Sequence, residues 1–149
     1  MTASGCHILS AIRELIGLPK AIRSAVVSPN GMQFSLVFEY DNFNMVFEEM
    51  NDQEIVEFDE AIEIYQGDRK MLLEYDTPYI CYLPSKLTVS ELDCGQAKTT
   101  VYGPHCHDMF ANELLEFYRC VTTHDTPKCD VFDAAEDVKL YIDVAKMMK

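Results

Sequence analysis

From Met32 to Met50 the chain reads MQFSLVFEYDNFNMVFEEM, with apolar and polar residues alternating on both sides of Asp41-Asn42. A two-residue turn at that pair, whose residue types tolerate φ > 0, sets Tyr40 opposite Phe43, Phe38 opposite Met45 and Leu36 opposite Phe47. All six then share one face. A slip of one residue would turn the whole set toward water, so the pattern specifies its own register. Cross-strand pairs of this kind contribute roughly 0.2–1 kcal/mol each. The hairpin is expected to be the centre of a sheet, with Gln33, Ser35, Val37, Glu39, Asn44, Val46 and Glu48 on the opposite, mixed face.

The flanking patterns extend this picture. Between Ser4 and Ile16, Ile8, Ile12, Leu15 and Ile16 recur at helical spacing, Arg13 and Glu14 fall on the other side, and Gly17 and Pro19 end the helix. Residues Ala21 to Val27 read as a strand cut by the turn cluster Ser28-Pro29-Asn30-Gly31. After an acidic turn around Asn51 to Glu54, alternation from Phe58 to Tyr65, a turn at Gln66-Gly67-Asp68 and a return through Met71 to Tyr75 predict a second hairpin. The proline-punctuated stretch from Asp76 to Leu87 reads as a surface crossing that offers Tyr79 and Tyr82. Short strands are expected at Leu87 to Leu92 and Lys98 to Tyr102. Then the period changes. Phe110, Leu114, Phe117, Tyr118 and Val121 form one helical stripe, and Ala134, Val138, Tyr141, Ile142, Ala145 and Met148 form another, capped by Asp130 or Asp133. Strands flanked by helices predict an α+β fold: one domain over residues 1–149, a predominantly antiparallel open sheet with helices packed on one face.

Charge narrows the partners. Twelve Lys and Arg against twenty-five Asp and Glu give −13, without a basic stripe, which argues against nucleic acid and anionic membrane surfaces. Met1 is not followed by a charged-then-apolar leader, and no apolar run approaches the ~20 residues that span a bilayer, so a soluble cytoplasmic protein is expected. The six cysteines are scattered without CxxC spacing in a chain long enough to do without bridges, and read as reduced thiols.

The two ends of the chain carry a family resemblance. SGCHILSAIRELIGLPKAI resembles the G-x-H followed by L-R-x-L-x-G-x-P that opens the substrate domain of the Gfo/Idh/MocA oxidoreductases. The C-terminal DMFANELLEFYRCVTTHDTPKCDVFDAAEDVKLYIDVAKMM is similar to that family's closing helix pair, with Phe110, Glu113, Phe117, Pro127, Asp133 and Ala134 at the expected places. With the DTPYI stretch and the hairpins, the resemblance spans nearly the whole chain. The family's dinucleotide-binding half, with its G-x-G-x-x-G turn and E-K-P lysine, has no counterpart here: the six glycines never approach a pyrophosphate-cradling spacing. No nicotinamide or other cofactor is therefore expected. Where family members commonly place aspartates around the histidine matching His7, this chain has Ala3 and Ser10. The resemblance also implies an open sheet whose outer face pairs with a second subunit, and a homodimer through the sheet is the simplest arrangement.

Three residues are candidates for chemistry. His7 matches the family's substrate-side histidine, and an imidazole suits acid/base work near neutrality; a helix-start histidine satisfied by a carbonyl is the plainer alternative. His105-Cys106-His107-Asp108 is dense in metal-ligand types but supplies only two imidazoles, so no metal is expected, and a turn capping the next helix through Asp108 is the alternative. Tyr79 joins His7 and His105 as a third orienting or protonating group. Met32, Phe43, Met45, Tyr82 and His107 are candidate lining for a small apolar substrate. The resulting expectation is a cofactor-independent isomerase, cyclase or lyase of an apolar biosynthetic intermediate. A pericyclic reaction falls within that class, since preorganisation alone lowers barriers of intramolecular reactions. The alternatives are a non-catalytic dimerising or regulatory subunit, or a degenerate remnant of an oxidoreductase.

Overall fold

The computed structural model describes residues 3–51, 54, 58–77 and 79–148. Part of the expected acidic turn after Met50, and the proline of DTPYI, lie outside those residues. The chain forms two compact units, Met1–Ile55 with Lys128–Lys149, and Val56–Pro127.

The first unit contains helix α1 (Ala3–Ile16), strands β1 (Ala21–Val27), β2 (Gln33–Glu39) and β3 (Asn44–Met50), and helix α3 (Val131–Met147). The strands form an antiparallel sheet in the order β1-β2-β3, so the hairpin's first strand is central. Its register is the one the alternation predicts: Phe38 pairs with Met45, Leu36 with Phe47, and the Tyr40 N–H donates to the Phe43 carbonyl at 3.0 Å. Phe34, Leu36, Phe38, Tyr40 and Phe47 are buried on one face, where Leu9 and Ile12 of α1 and Leu140 and Val144 of α3 complete the core. Val46, on the outer face, is exposed.

Both helices end or begin where local chemistry directs. Gly17 takes φ +80°, a conformation open to glycine, and its N–H closes on the Arg13 carbonyl at 2.8 Å. Of the two candidate caps for α3, Asp130 is the one used: its carboxylate accepts from the Phe132 and Asp133 N–H groups at 2.8 and 2.9 Å. Replacing Asp130 with alanine should cost about 1 kcal/mol of unfolding free energy, read from urea denaturation, with Asp130→Asn nearly neutral.

The helical stripes differ from the expectation. In α1 the inward residues are Leu9 and Ile12, while Leu15 and Ile16 are exposed and Arg13 points inward. In α3 the buried line is Asp137, Leu140 and Val144; Val138 and Ile142 face out. The reason is an ionic cluster. Arg13 donates from Nε to Asp137 at 2.6 Å and through both terminal nitrogens to Asp133 at 2.8 and 2.7 Å, and the Ser10 hydroxyl donates to Asp137 at 2.8 Å. A buried carboxylate needs such partners, and satisfying it rotates both helices away from their most apolar faces.

The second unit contains β4 (Glu60–Gln66), β5 (Arg69–Tyr75), β6 (Pro84–Asp93), β7 (Gln96–Cys106) and α2 (Met109–Thr123). Its four strands run antiparallel in sequence order. The β4–β5 hairpin turns at Gly67-Asp68 as predicted. Strand β6 begins at Pro84, inside the stretch read as a crossing, and β7 extends to Cys106, so the irregular connection shortens to 76–83. An edge position accommodates what a central strand would exclude: among the described residues β7 is bonded only on its β6 side, and a register shift occurs opposite Ser85–Leu87. Gly103 makes this irregularity possible, with φ +111° and only 2.9 Å between the Ser85 carbonyl oxygen and the place a β-carbon would occupy. The apolar stripe of α2 is exposed: Phe110, Leu114, Phe117, Tyr118 and Val121 are each at least half accessible.

The described residues form an α+β fold of two antiparallel sheets and three helices. None of the six cysteines is in a disulfide.

Candidate functional site

His7, Met32, Phe43 and Met45 belong to the first unit. His7 is exposed on α1, whose start is held by the Tyr141 hydroxyl donating to the Cys6 carbonyl at 2.6 Å. Ser10, where the family resemblance would place an aspartate, binds Asp137 and thus serves the ionic cluster. Phe43 stacks on Tyr40 at the hairpin tip, ring centroids 4.6 Å apart. Met32 lies at the hairpin's other end, its carbonyl accepting from the Asn51 N–H at 2.8 Å. Met45 borders a shallow crevice with Leu9, Ile12, Phe38 and Leu140 that leaves no room for a water-sized molecule. Small-molecule sites span roughly 300–1,000 Å³, so the side chains here are in ordinary core packing.

Tyr79, Tyr82, His105 and His107 belong to the second unit. Both tyrosines lie in the 76–83 connection and are exposed. The backbone brings Tyr82 to His107: Tyr82 takes φ +64°, and its N–H donates to the His107 carbonyl at 3.3 Å. The His105 and His107 rings, two residues apart, lie nearly parallel with centroids 6.0 Å apart. Asp108 caps α2, accepting from the Ala111 N–H at 3.0 Å, so the His-Cys-His-Asp run leads into a helix start. Among the described residues no three His, Cys, Asp or Glu side chains gather as a metal site. What remains is a solvent-facing trio of Tyr82, His105 and His107, able to donate or accept protons at the edge of the sheet.

The pairing of β4 to β7 assembles a surface that the separate strand patterns do not display. On one face, Ile62, Leu73, Leu87 and Tyr102 line up across the four strands, and Ile64, Met71, Val89 and Thr100 form the next row. Polar rows bound them. Glu60, Tyr75, Ser85 and His105 cross one end, and Gln66, Arg69, Glu91 and Lys98 the other. None of the described residues of β4–β7 is buried. A sheet with a contiguous apolar centre and polar margins has the composition of an interface. At the His105 end the Tyr75 hydroxyl is pushed up to about 12, first by its partial burial and then by the adjoining Glu60 carboxylate, to which it is hydrogen-bonded. It is a neutral donor throughout the physiological range. Sequence reasoning misses that Glu60 and Tyr75 lie in one cross-strand row with His105, with Ser85 between; the signal is the alternation of β4, and only the cross-strand register places it in the row of His105.

No protein-family model matches the sequence, and no curated protein matches it. Among solved structures, the "putative oxidoreductase yvaA from Bacillus subtilis" is similar in fold: TM-score 0.71 at 13% identity, over 97% of this chain and 48% of that one. The chain thus spans about half the length of that protein, and what the two share is the fold.

Proposed function

We propose that the chain is a non-catalytic subunit that self-associates through the apolar face of β4–β7, a cytoplasmic module related to the C-terminal substrate and dimerisation domain of Gfo/Idh/MocA oxidoreductases. The observation that carries this reading is that face: two apolar rows framed by polar ones, on a sheet with no buried residue among those described. The fold likeness to about half of an oxidoreductase-like chain supports it.

Sedimentation velocity tests it. The wild type should be a dimer at tens of micromolar, and Leu73→Asp, which places an unpaired carboxylate at the centre of the face, should weaken association by about 100-fold or more, equivalent to ~3 kcal/mol. A wild type that stays monomeric at about 100 µM, or a Leu73→Asp variant that assembles like the wild type, removes the reading.

A second reading rests on the trio at the sheet edge. Tyr82, His105 and His107 lie together beside one end of the apolar rows, as a cofactor-independent isomerase or cyclase of a small apolar molecule requires. His7 and Tyr79 would belong to it as further proton donors. A small apolar molecule retained by the purified protein in native mass spectrometry, and lost in His105→Ala, would favour this reading over the first.

A further inference from the structure

We infer that the second copy packs on the β4–β7 face about a two-fold axis running along the strands between β5 and β6, so that each copy's Arg69 meets the partner's Glu91. This rests on the self-association proposed above and adds its register.

The argument is one of symmetry and charge. For two copies of a sheet packed with their strands aligned, the two-fold axis of an isologous contact lies in the plane between them and runs either along the strands or across them. Along the strands, each cross-strand row faces itself in reverse order. β5 then lies over β6 of the partner and β4 over β7. Leu73 meets the partner's Leu87, apolar on apolar, and the polar ends match: Arg69 lies over the oppositely charged Glu91 of the partner, and Glu60 lies over the partner's His105. Within one copy Arg69 already pairs with Glu91 at 3.3 Å, so two copies join these pairs into a four-membered ring of alternating charge. An axis across the strands exchanges the two polar rows. Arg69 then faces Tyr75, Glu91 faces Ser85, and Lys98 faces His105, with no opposite charges matched. Only the first arrangement sets opposite charges, Arg69 and Glu91, against each other, the feature that fixes register and rejects wrong partners.

Size points the same way. At about 4.8 Å between strands and 3.4 Å per residue, four strands of seven residues offer a patch of roughly 19 by 24 Å on each copy. Over both copies that is about 900 Å², below the roughly 1,200 Å² of stable interfaces and in the range of weak ones, where matched charges at the margin decide between registers that the apolar centre alone would tolerate.

The test is the charge-swapped protein Arg69→Glu/Glu91→Arg, which keeps its internal ion pair and so keeps the sheet intact. It should form dimers with the wild type's dissociation constant, because the two exchanged charges face each other across the proposed interface as the original pair did. Mixed with the wild type, it should exclude it: the mixed pair sets arginine over arginine and glutamate over glutamate. Native mass spectrometry of the swapped protein with 15N-labelled wild type should show a heterodimer fraction below about one tenth, where indifferent subunits would give one half. A heterodimer fraction near one half overturns this register while leaving self-association in place, and so does a swapped protein that remains monomeric beside a dimeric wild type. A monomeric wild type overturns the register together with the proposal beneath it.

Discussion

Replacing Arg13 with methionine is expected to destabilise the first unit by about 3–5 kcal/mol in urea denaturation, more than any surface charge in the molecule. Methionine keeps much of the aliphatic stem, so the loss measures the guanidinium. That group holds Asp137, 7% exposed, and Asp133 at 2.6–2.8 Å, and without it Asp137 keeps only the Ser10 hydroxyl and a carboxylate stranded away from water. The exposed pair of Lys146 and Asp143, by contrast, should contribute under about 1 kcal/mol. If the cost comes from the stranded carboxylate, the double variant Arg13→Met/Asp137→Leu should recover more than half of it, because an apolar pair can fill the same space. A loss below about 1 kcal/mol in the single variant would mean that water reaches the cluster freely.

The same cluster gives an acid dependence of known sign. Hydrogen bonds from Arg13, aided by a weaker one from Cys129, hold the Asp133 carboxyl below the usual carboxylate range against the opposing effect of desolvation. Its folded value therefore lies below its unfolded value. The stabilisation is fully present above about pH 4 and is lost as pH falls through the lower, folded value. In Arg13→Met this contribution is gone, so the variant should lose less stability than the wild type on acidification from about pH 5 to about pH 2.

The second large effect is Phe38→Ala, expected to cost about 3–5 kcal/mol with the upper end favoured. Phe38 is 0% exposed on the central strand, with β1 and β3 bonded on either side and the two helices over its face. A backbone held on both sides cannot collapse into the space a phenyl ring leaves, so transfer and cavity contributions both remain. Phe43, five residues on and 49% exposed, is the control: Phe43→Ala should lose about 1 kcal/mol, mainly its stacking on Tyr40. Equal losses at the two positions would show that the face is less tightly packed than its burial indicates.

The candidate residues are legible in the sequence as chemistry but not as a constellation. Tyr82 and His107 are joined by one backbone hydrogen bond, which requires a left-handed residue at Tyr82 and an irregular β6–β7 pairing around Gly103. Neither is visible in residue types alone. Met45, expected to line a pocket, lines a crevice of the core, because the side chains around it close to ordinary contact.

What the sequence determined by itself is local. The Asp41-Asn42 turn, the register it sets in β2 and β3, the β4–β5 hairpin, the Gly17 stop, the cap at Asp108 and a cap at Asp130 or Asp133 follow from residues within a few positions of one another, where turn chemistry and side-chain period act directly. The tertiary structure decided which face each element buries. Arg13 meets Asp133 and Asp137 across 120 and 124 positions, and the need to neutralise a buried carboxylate outweighed the apolar stripes of α1 and α3. The interface-like face of β4–β7 exists only once four strands are in register, since an alternating pattern fixes the side on which a residue lies and not which residues stand beside it.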